Sequence, residues 1–268
     1  MSEPFVSILM GIYNCADTLK EAIESIKAQT YKNWELIMCD DGSTDNTYEI
    51  AKMYNEESPE KFVLIRNEKN MGLNVTLNNC LKIAKGDFIA RMDGDDISLP
   101  ERFEKEVKFL LENPDYAIVS TPMHYFDKDG IFRTGKGGGA PKKEDLVKGT
   151  PHCHAPCMVR REAYFKVDGY SVDKKLLRVE DYHLWVKMYN EGFKGYNLEE
   201  PLYMMRDDRD AIRRRKYKFR INEAYVKCLA IEKLELSKWN YIYAVIPLIK
   251  GLVPVKLYTV LHRMKDKN

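Results

Sequence analysis

The 268-residue chain is predicted to fold as an α/β protein, with a mostly parallel central sheet flanked by helices over residues 1–206 and a basic, helical extension over 207–268. Two observations carry that prediction. Short apolar runs rich in strand formers alternate with amphipathic stretches through the first ~120 residues, the signature of βαβ units. The charge is also divided: residues 206–268 hold 16 Lys and Arg against 7 Asp and Glu, a net of +9, while residues 1–205 carry a net of −7.

Each element has its own reason. Residues 5–10 (FVSILM) are an apolar strand. Residues 18–29 place Leu19, Ile23 and Ile26 on one helical face, with Thr18 and Glu21 at capping-box spacing. Residues 34–40 (WELIMCD) form the next strand, and Ser43 or Thr44 supplies an N-cap for the helix after it. Residues 62–66 (FVLIR) are a third strand, 73–84 a helix and 87–92 (DFIARM) a fourth strand. Pro100 opens an amphipathic helix over 100–113, and 117–121 (AIVST) is a fifth strand. Beyond 121 the pattern loosens around Gly135, Gly137, Gly138 and Gly139. A helix is expected again over 179–192, and the basic, aromatic region from 207 reads as helical.

Composition narrows the classes. With 44% hydrophobic and 31% charged residues, the chain has the balance of a folded domain and not of a disordered one. Six scattered cysteines are too few for a disulfide framework and read as reduced thiols of a cytosolic protein. His152, Cys153, His154 and Cys157 lack a second Cys/His pair at finger spacing, so structural zinc is not expected. The first residues lack the basic region of a secretory signal, and no apolar run approaches the roughly 18 residues of a membrane span.

In a parallel sheet, ligands bind beyond the carboxyl ends of the strands. There the sequence places Gly11-Ile12-Tyr13-Asn14, Asp40 to Asp45, and Asp93-Gly94-Asp95-Asp96, three polar clusters expected to converge on one edge. Three carboxylates within four residues repel one another and persist only if solvated, protonated or neutralised by a cation. Behind a buried strand, with Arg91 beside them, the cation reading is the sharper one. The run Asp41-Gly42-Ser43-Thr44-Asp45 is good turn-and-cap chemistry. Asp41 itself, at a strand tip with its carboxylate free, would accept from a base imide N–H or a ribose hydroxyl. Glu180 and Asp181 open the late helix, where acids are favoured by the helix terminus or serve to take a proton from an attacking hydroxyl.

In order along the chain, VSILMGIYN, DDGSTD, the Asn70-Met71-Gly72 turn, ARMDGDD, His154 with Arg160, VEDYHLW and EEPLYMMR resemble family-2 glycosyltransferases. They look most like bacterial enzymes that build capsular, O-antigen or exopolysaccharide repeat units. The match runs from about residue 5 to 206. The resemblance implies a GT-A fold and inverting transfer from a nucleotide-sugar, a UDP-sugar, to a glycan or lipid-linked acceptor. It implies that Gly11, Tyr13, Asn14, Asp41, Asn70, Arg91 and Asp93 bind the donor nucleotide. By the same resemblance Asp93 and Asp95 are the D-x-D that meets Mg2+ or Mn2+, and Asp181 is the general base. Glu180, His154, Arg160 and His183 then fall on the acceptor or diphosphate side. Three positions depart from the family pattern: Gly11 stands where proline is commoner, His183 where aspartate is usual, and Ala155-Pro156 where Pro-Thr is common.

Other classes fit less well. A nucleotidyltransferase would need an early basic, Gly-rich phosphate loop, and Gly11-Ile12-Tyr13-Asn14 has no basic residue. A non-catalytic nucleotide-sugar binder would not need both Asp95 and Asp181. Transfer to bare polyprenyl phosphate would call for a membrane anchor, and no nucleic-acid partner is expected. Residues 213–220 hold six basic side chains and precede the apolar runs 241–249, 251–255 and 257–261, broken by Pro247, Lys250, Pro254 and Lys256. That pattern suits an anionic membrane surface, making the protein peripheral on the inner face of the cell membrane. Packing of the tail on the domain, or on a second subunit of a homodimer, is the other expectation.

Overall fold

A computed structural model describes residues 3–207 and 216–252. The elements run β1 (Val6–Ile12), α1 (Ala16–Lys27), β2 (Trp34–Asp40), α2 (Thr47–Glu57), β3 (Phe62–Arg66), α3 (Leu73–Ile83), β4 (Phe88–Arg91), β5 (Ile97–Ser98) and α4 (Arg102–Glu112). There follow β6 (Ile118–Ser120), β7 (Met123–Asp127), β8 (Gly130–Thr134), β9 (Met158–Arg160), α5 (Arg161–Lys166), α6 (Glu180–Asn190), β10 (Gly195–Asn197), β11 (Tyr203–Arg206), α7 (Tyr217–Lys233) and α8 (Tyr241–Leu252).

Among the described residues the main sheet has the order β10-β6-β9-β4-β1-β2-β3, with β9 its antiparallel member. A second sheet, β5-β11-β7-β8, lies beside it. Both faces of the main sheet are covered, which is why its strands read as unbroken apolar runs. Alternation in β1 sends Ile8 and Met10 to a layer with Leu19 and Ile23 of α1 and Phe103 of α4, and Leu9 to a layer with Leu77 of α3 and Trp185 of α6. Each such isoleucine or leucine contributes roughly 1.5–3 kcal/mol by leaving water. Val226, Ala230 and Ile231 of α7 join the Trp185 layer, so α7 is built into the body that carries the sheet.

Several local expectations shift. Helix α1 starts at Ala16, so Thr18 and Glu21 make no capping box. The Thr18 hydroxyl donates to the Gly94 carbonyl, and Glu21 pairs with Arg206. Both residues are thus drawn toward the acidic loop after β4. Helix α2 begins at Thr47, later than a Ser43 or Thr44 cap would give, with the Asp45 carboxylate accepting from the Thr47 amide. Pro100 precedes α4 instead of opening it. The irregular region after 121 contributes strands β7 to β11. Among the described residues no helix is long and apolar enough to cross a membrane.

Behind β4 lies a fully buried ion pair, Arg102 with Glu106, one turn apart on α4. Arg102 also donates from Nη2 to the Arg91 carbonyl at 2.9 Å and the Cys157 carbonyl at 3.2 Å, so it braces the end of β4 against β9. Burial holds the Glu106 carboxyl up at about 7 against the opposing pull of Arg102. Glu106→Ala would strand the guanidinium without a counter-charge and is expected to cost about 3–5 kcal/mol. Urea unfolding of the variant measures that loss, and a change below about 1 kcal/mol would show that the pair is not structural.

Candidate active site

The strands β1, β2, β3 and β4 end on one edge of the sheet, and their following loops are tied together there. Asn14, in the left-handed region at φ 47°, accepts at Oδ1 from the Thr44 amide. Its own amide donates to the Ser43 hydroxyl. The Cys15 amide donates to Thr47 Oγ1 and the Ala16 amide to Asp45. Asp40 is buried and ion-paired with Arg66 at 2.9 Å. Tyr13 remains 47% exposed at the tip of β1, and Asn70 is exposed on the β3–α3 loop. Gly11 lies inside β1 and not in the turn after it. A Cβ there would come within 3.1 Å of Leu73 and 3.2 Å of Thr76, so its smallness lets α3 pack.

Asp41 is not the free carboxylate that its place at a strand tip suggested. It is 4% exposed and accepts three hydrogen bonds: from Asn67 Nδ2 at 2.8 Å, from the Met71 amide at 2.8 Å and from the Gly72 amide at 2.9 Å. Gly72 itself sits at φ 90°, a conformation that favours glycine. Asp41 therefore fixes the loop that carries Asn70.

The acidic loop after β4 divides its labour. Asp96 is buried and accepts from the Arg206 amide at 2.8 Å; burial, then the charges of Asp93 and Asp95, hold it well above the carboxylate range. Asp93 is half-buried and paired with Arg91. Asp95 is exposed at the loop, yet enclosure of its carboxyl, followed by the charge of Asp93, raises its pKa, with Arg206 and Arg91 opposing. Gly94 lets the loop settle against α1, since a Cβ would meet Cys15 Sγ at 3.0 Å.

Arg91, 4% exposed, stands behind this loop. One guanidinium arm reaches Asp93 and another His154 Nδ1. Arginine only donates, so Nδ1 must accept, and the ring proton sits on Nε2 facing the Tyr170 hydroxyl at 2.8 Å. The Tyr170 hydroxyl meets that of Tyr164 at 2.9 Å. Burial first, and Arg91 second, push His154 well below its ordinary range, which keeps it neutral. His154 is thus a buried support for Arg91, and Arg91 a support for Asp93, with 8% and 4% of their surfaces exposed.

Asp181 lies at the first turn of α6, partly exposed as a residue with its carboxyl enclosed by protein. Burial, reinforced by neighbouring Glu180, raises its pKa to about 6, against the Tyr182 amide and the charge of Arg91. Glu180 Oε2 is buried with no hydrogen-bond partner.

Two expected members are elsewhere. Because β9 runs antiparallel, Arg160 pairs with Phe88 at the opposite edge of the sheet, where it donates to the Tyr116 and Leu110 carbonyls and holds the end of α4. His183 follows Asp181 by two residues, about 200° around the helix, and faces away. It lines a cavity with Lys187, Asn190 and Leu229, and burial lowers its pKa to about 4. Arg206, the last residue of the EEPLYMMR motif, was given no site role by the sequence: its Nε donates to the Asp95 carbonyl at 2.9 Å, brought there by β11 pairing with β5 and β7.

The donor set at the loop suits a hard divalent cation. Asp93 and Asp95 offer carboxylate oxygens whose mutual repulsion such an ion would relieve. Among the described residues no group of three or more His, Cys, Asp or Glu forms a ready cage, so remaining ligands would come from substrate or water.

A family model described as "Glycosyl transferase family 2" matches residues 7–168. The "Putative glycosyltransferase EpsE" of Bacillus subtilis is 44% identical over 267 residues, covering 100% of this chain and 96% of that one. The "UDP-Glc:alpha-D-GlcNAc-diphosphoundecaprenol beta-1,3-glucosyltransferase WfaP" of Escherichia coli is 29% identical over 253 residues, covering 91% and 94%. Among solved structures, the "Mannosyltransferase PcManGT from Pyrobaculum calidifontis in complex with GDP-Man and Mn2+" superposes with a TM-score of 0.64 at 19% identity, covering 100% of this chain and 82% of that one. The fold is GT-A.

The Asp41 clamp makes a direct prediction. Asp41→Ala should release the Met71 and Gly72 amides, at a cost of about 1–3 kcal/mol. Hydrogen exchange at those two amides is expected to accelerate strongly while α1 and α4 stay protected; unchanged exchange would mean the loop is held by something else.

Proposed function

The chain belongs to glycosyl transferase family 2, and on that premise we propose that it transfers a sugar, with inversion, from a UDP-sugar to a hydroxyl of a glycan or lipid-linked oligosaccharide in surface polysaccharide biosynthesis. The family and the kinship with WfaP, whose name gives a diphosphoundecaprenol-linked sugar as acceptor, support that choice. An acceptor of this kind is held at a membrane, so the enzyme is assigned to the inner membrane surface as a peripheral protein.

The observation that carries the reading is the arrangement around Arg91. Its guanidinium pairs with Asp93, and its charge also acts on Asp95 and Asp181. One buried cation thus sits among the acidic loop and the carboxylate of α6. Tyr13 and the Asp41-held Asn70 loop border the same edge and are assigned to the nucleotide. Asp93 and Asp95 are assigned to Mg2+ or Mn2+, in keeping with the Mn2+ named for PcManGT. When bound, such an ion neutralises charge on the departing diphosphate.

Asp181 accepts the proton of the acceptor hydroxyl as that oxygen attacks the anomeric carbon opposite the diphosphate. The bond from carbon to phosphate oxygen breaks as the new glycosidic bond forms. A carboxyl near 6 is well matched to proton acceptance, being mostly ionised at neutral pH yet basic enough to hold a proton. General-base catalysis contributes roughly 10²–10⁴-fold, about 3–5 kcal/mol. Glu180, with an unpartnered oxygen beside the base, is assigned to orienting a substrate hydroxyl. Arg206 adds a positive charge on the Asp95 side.

Asp181→Asn is expected to keep nucleotide-sugar affinity by calorimetry and to lose about 10²–10⁴-fold in transfer. Ionised Asp181 is penalised by its enclosure, so the same variant should gain about 1–2 kcal/mol of stability at neutral pH, discounted for partial exposure, with the gain vanishing as pH falls below about 4. Equal loss of donor binding would make the residue structural. In the parent enzyme log(kcat/KM) should fall with unit slope as pH drops below about 6, because the base of the free enzyme is then protonated.

The cation has its own test. Asp95→Asn, or excess chelator, should abolish turnover of a panel of nucleotide-sugars without changing the far-UV spectrum. Full hydrolysis of any of them in chelator would remove the metal from the reading.

A further inference from the structure

Helix α8 turns an unusually apolar face to solvent, and we propose that this face docks the protein in the interfacial plane of an anionic lipid bilayer. The idea deepens the membrane-surface reading above and rests on it for the acceptor. The sequence pattern sets the contact on the basic run 213–220 together with the apolar runs 241–249, 251–255 and 257–261; Arg213, Arg214 and Arg215 lie outside the described residues, as do 253–255 and 257–261. The structure describes the first of those apolar runs, as α8.

Trp239, Ile242, Val245, Ile249 and Leu252 are 89, 67, 48, 58 and 73% exposed. Spacings of three and four residues set Ile242, Val245, Ile249 and Leu252 on one side of α8, and Trp239 lies in the turn just before it. The other side is occupied: Ala244 and Pro247 are buried, and Tyr243 packs on the core. The end of α8 abuts the start of α7, where a Cβ on Gly251 would lie 2.6 Å from the Tyr217 ring. Tyr217 and Ile221 are themselves exposed, so they extend the patch across both helices.

Charge decides what covers it. Residues 236–265 contain no Asp or Glu and five Lys or Arg. Exposed Lys216, Lys218, Lys238 and Lys250 border the apolar patch. A two-fold pairing of this face with a second copy would bring those lysines toward one another, with less negative charge nearby, such as Glu232 that accepts from the Tyr241 hydroxyl at 3.2 Å, than the lysines carry positive. A surface of anionic headgroups over acyl chains answers both features at once, attracting the lysines and accepting the tryptophan and isoleucines. Over its 12 described residues α8 is about 18 Å long, short of a span, and in this proposal it lies flat. Because α7 shares an apolar layer with α6, docking through α8 would hold Asp181 at a fixed height above the lipid.

The full-length protein is mixed with vesicles of phosphatidylglycerol and phosphatidylcholine in equal amounts, or of phosphatidylcholine alone. Trp34 and Trp185 are buried, so a change in tryptophan emission reports on Trp239. The expected result is a blue shift and flotation with the anionic vesicles, both weaker with the neutral ones. The double variant Ile242→Glu, Ile249→Glu changes only exposed positions. It should lose about tenfold in partition, with an unchanged thermal melt and unchanged vesicle-free hydrolysis of nucleotide-sugar. Parent-like flotation of the variant, or unmoved Trp239 emission, would overturn the proposal. So would a dimer seen by sedimentation that the variant dissolves in the absence of any vesicle binding. Failure of the parent to hydrolyse any nucleotide-sugar would instead strike the proposed reaction and leave the lipid result standing.

Discussion

Like charges crowded at the end of β4 impose the constraint around which the site is arranged. Asp93, Asp95 and Asp96 cannot all be ionised in close company without an answering charge. The fold answers in layers. Arg91 is sealed behind Asp93, Arg206 closes over Asp95 and Asp96 from another strand, and the remaining repulsion is left on the open side. Arg91 in turn needs support, because a buried guanidinium must have its donors met. His154 meets one arm and Arg102 grips the strand's carbonyl, so the chain of dependence runs from the acidic loop back to the buried Arg102–Glu106 pair. In such a site the polar interior and the reactive edge are one network.

Asp181 shows the opposite economy. Enclosure and Glu180 dominate its surroundings, and the charge of Arg91 acts only in part against them. A residue kept basic in this way weakens the fold slightly at neutral pH, as an active-site group commonly does.

Much of this was legible in the sequence. The strands over 34–40 and 62–66 fell where the apolar runs placed them, because two-sided burial leaves no ambiguity in such runs. The acidic clusters at strand ends were equally plain, since topology alone brings strand ends to one edge. What stayed hidden depends on direction or on backbone. Nothing in the three residues of β9 announces that it runs against its neighbours, and that reversal carried Arg160 to the far edge. The helical turn could have excluded His183, which cannot share a face with Asp181. The partners of Asp41 include two main-chain amides thirty residues on, and main-chain amides have no sequence signature.

The loop after β3 illustrates a thermodynamic consequence of that last contact. A surface segment with a left-handed glycine would ordinarily sample many conformations, and a ligand meeting it would have to freeze them, at roughly 1–2 kcal/mol per residue. Here a buried carboxylate has already selected one. Whatever molecule settles against Asn70 meets a surface whose entropy was surrendered during folding, so its free energy of binding is spared that loss. Selectivity follows as well, because an ordered loop cannot reshape itself around a poorly fitting partner.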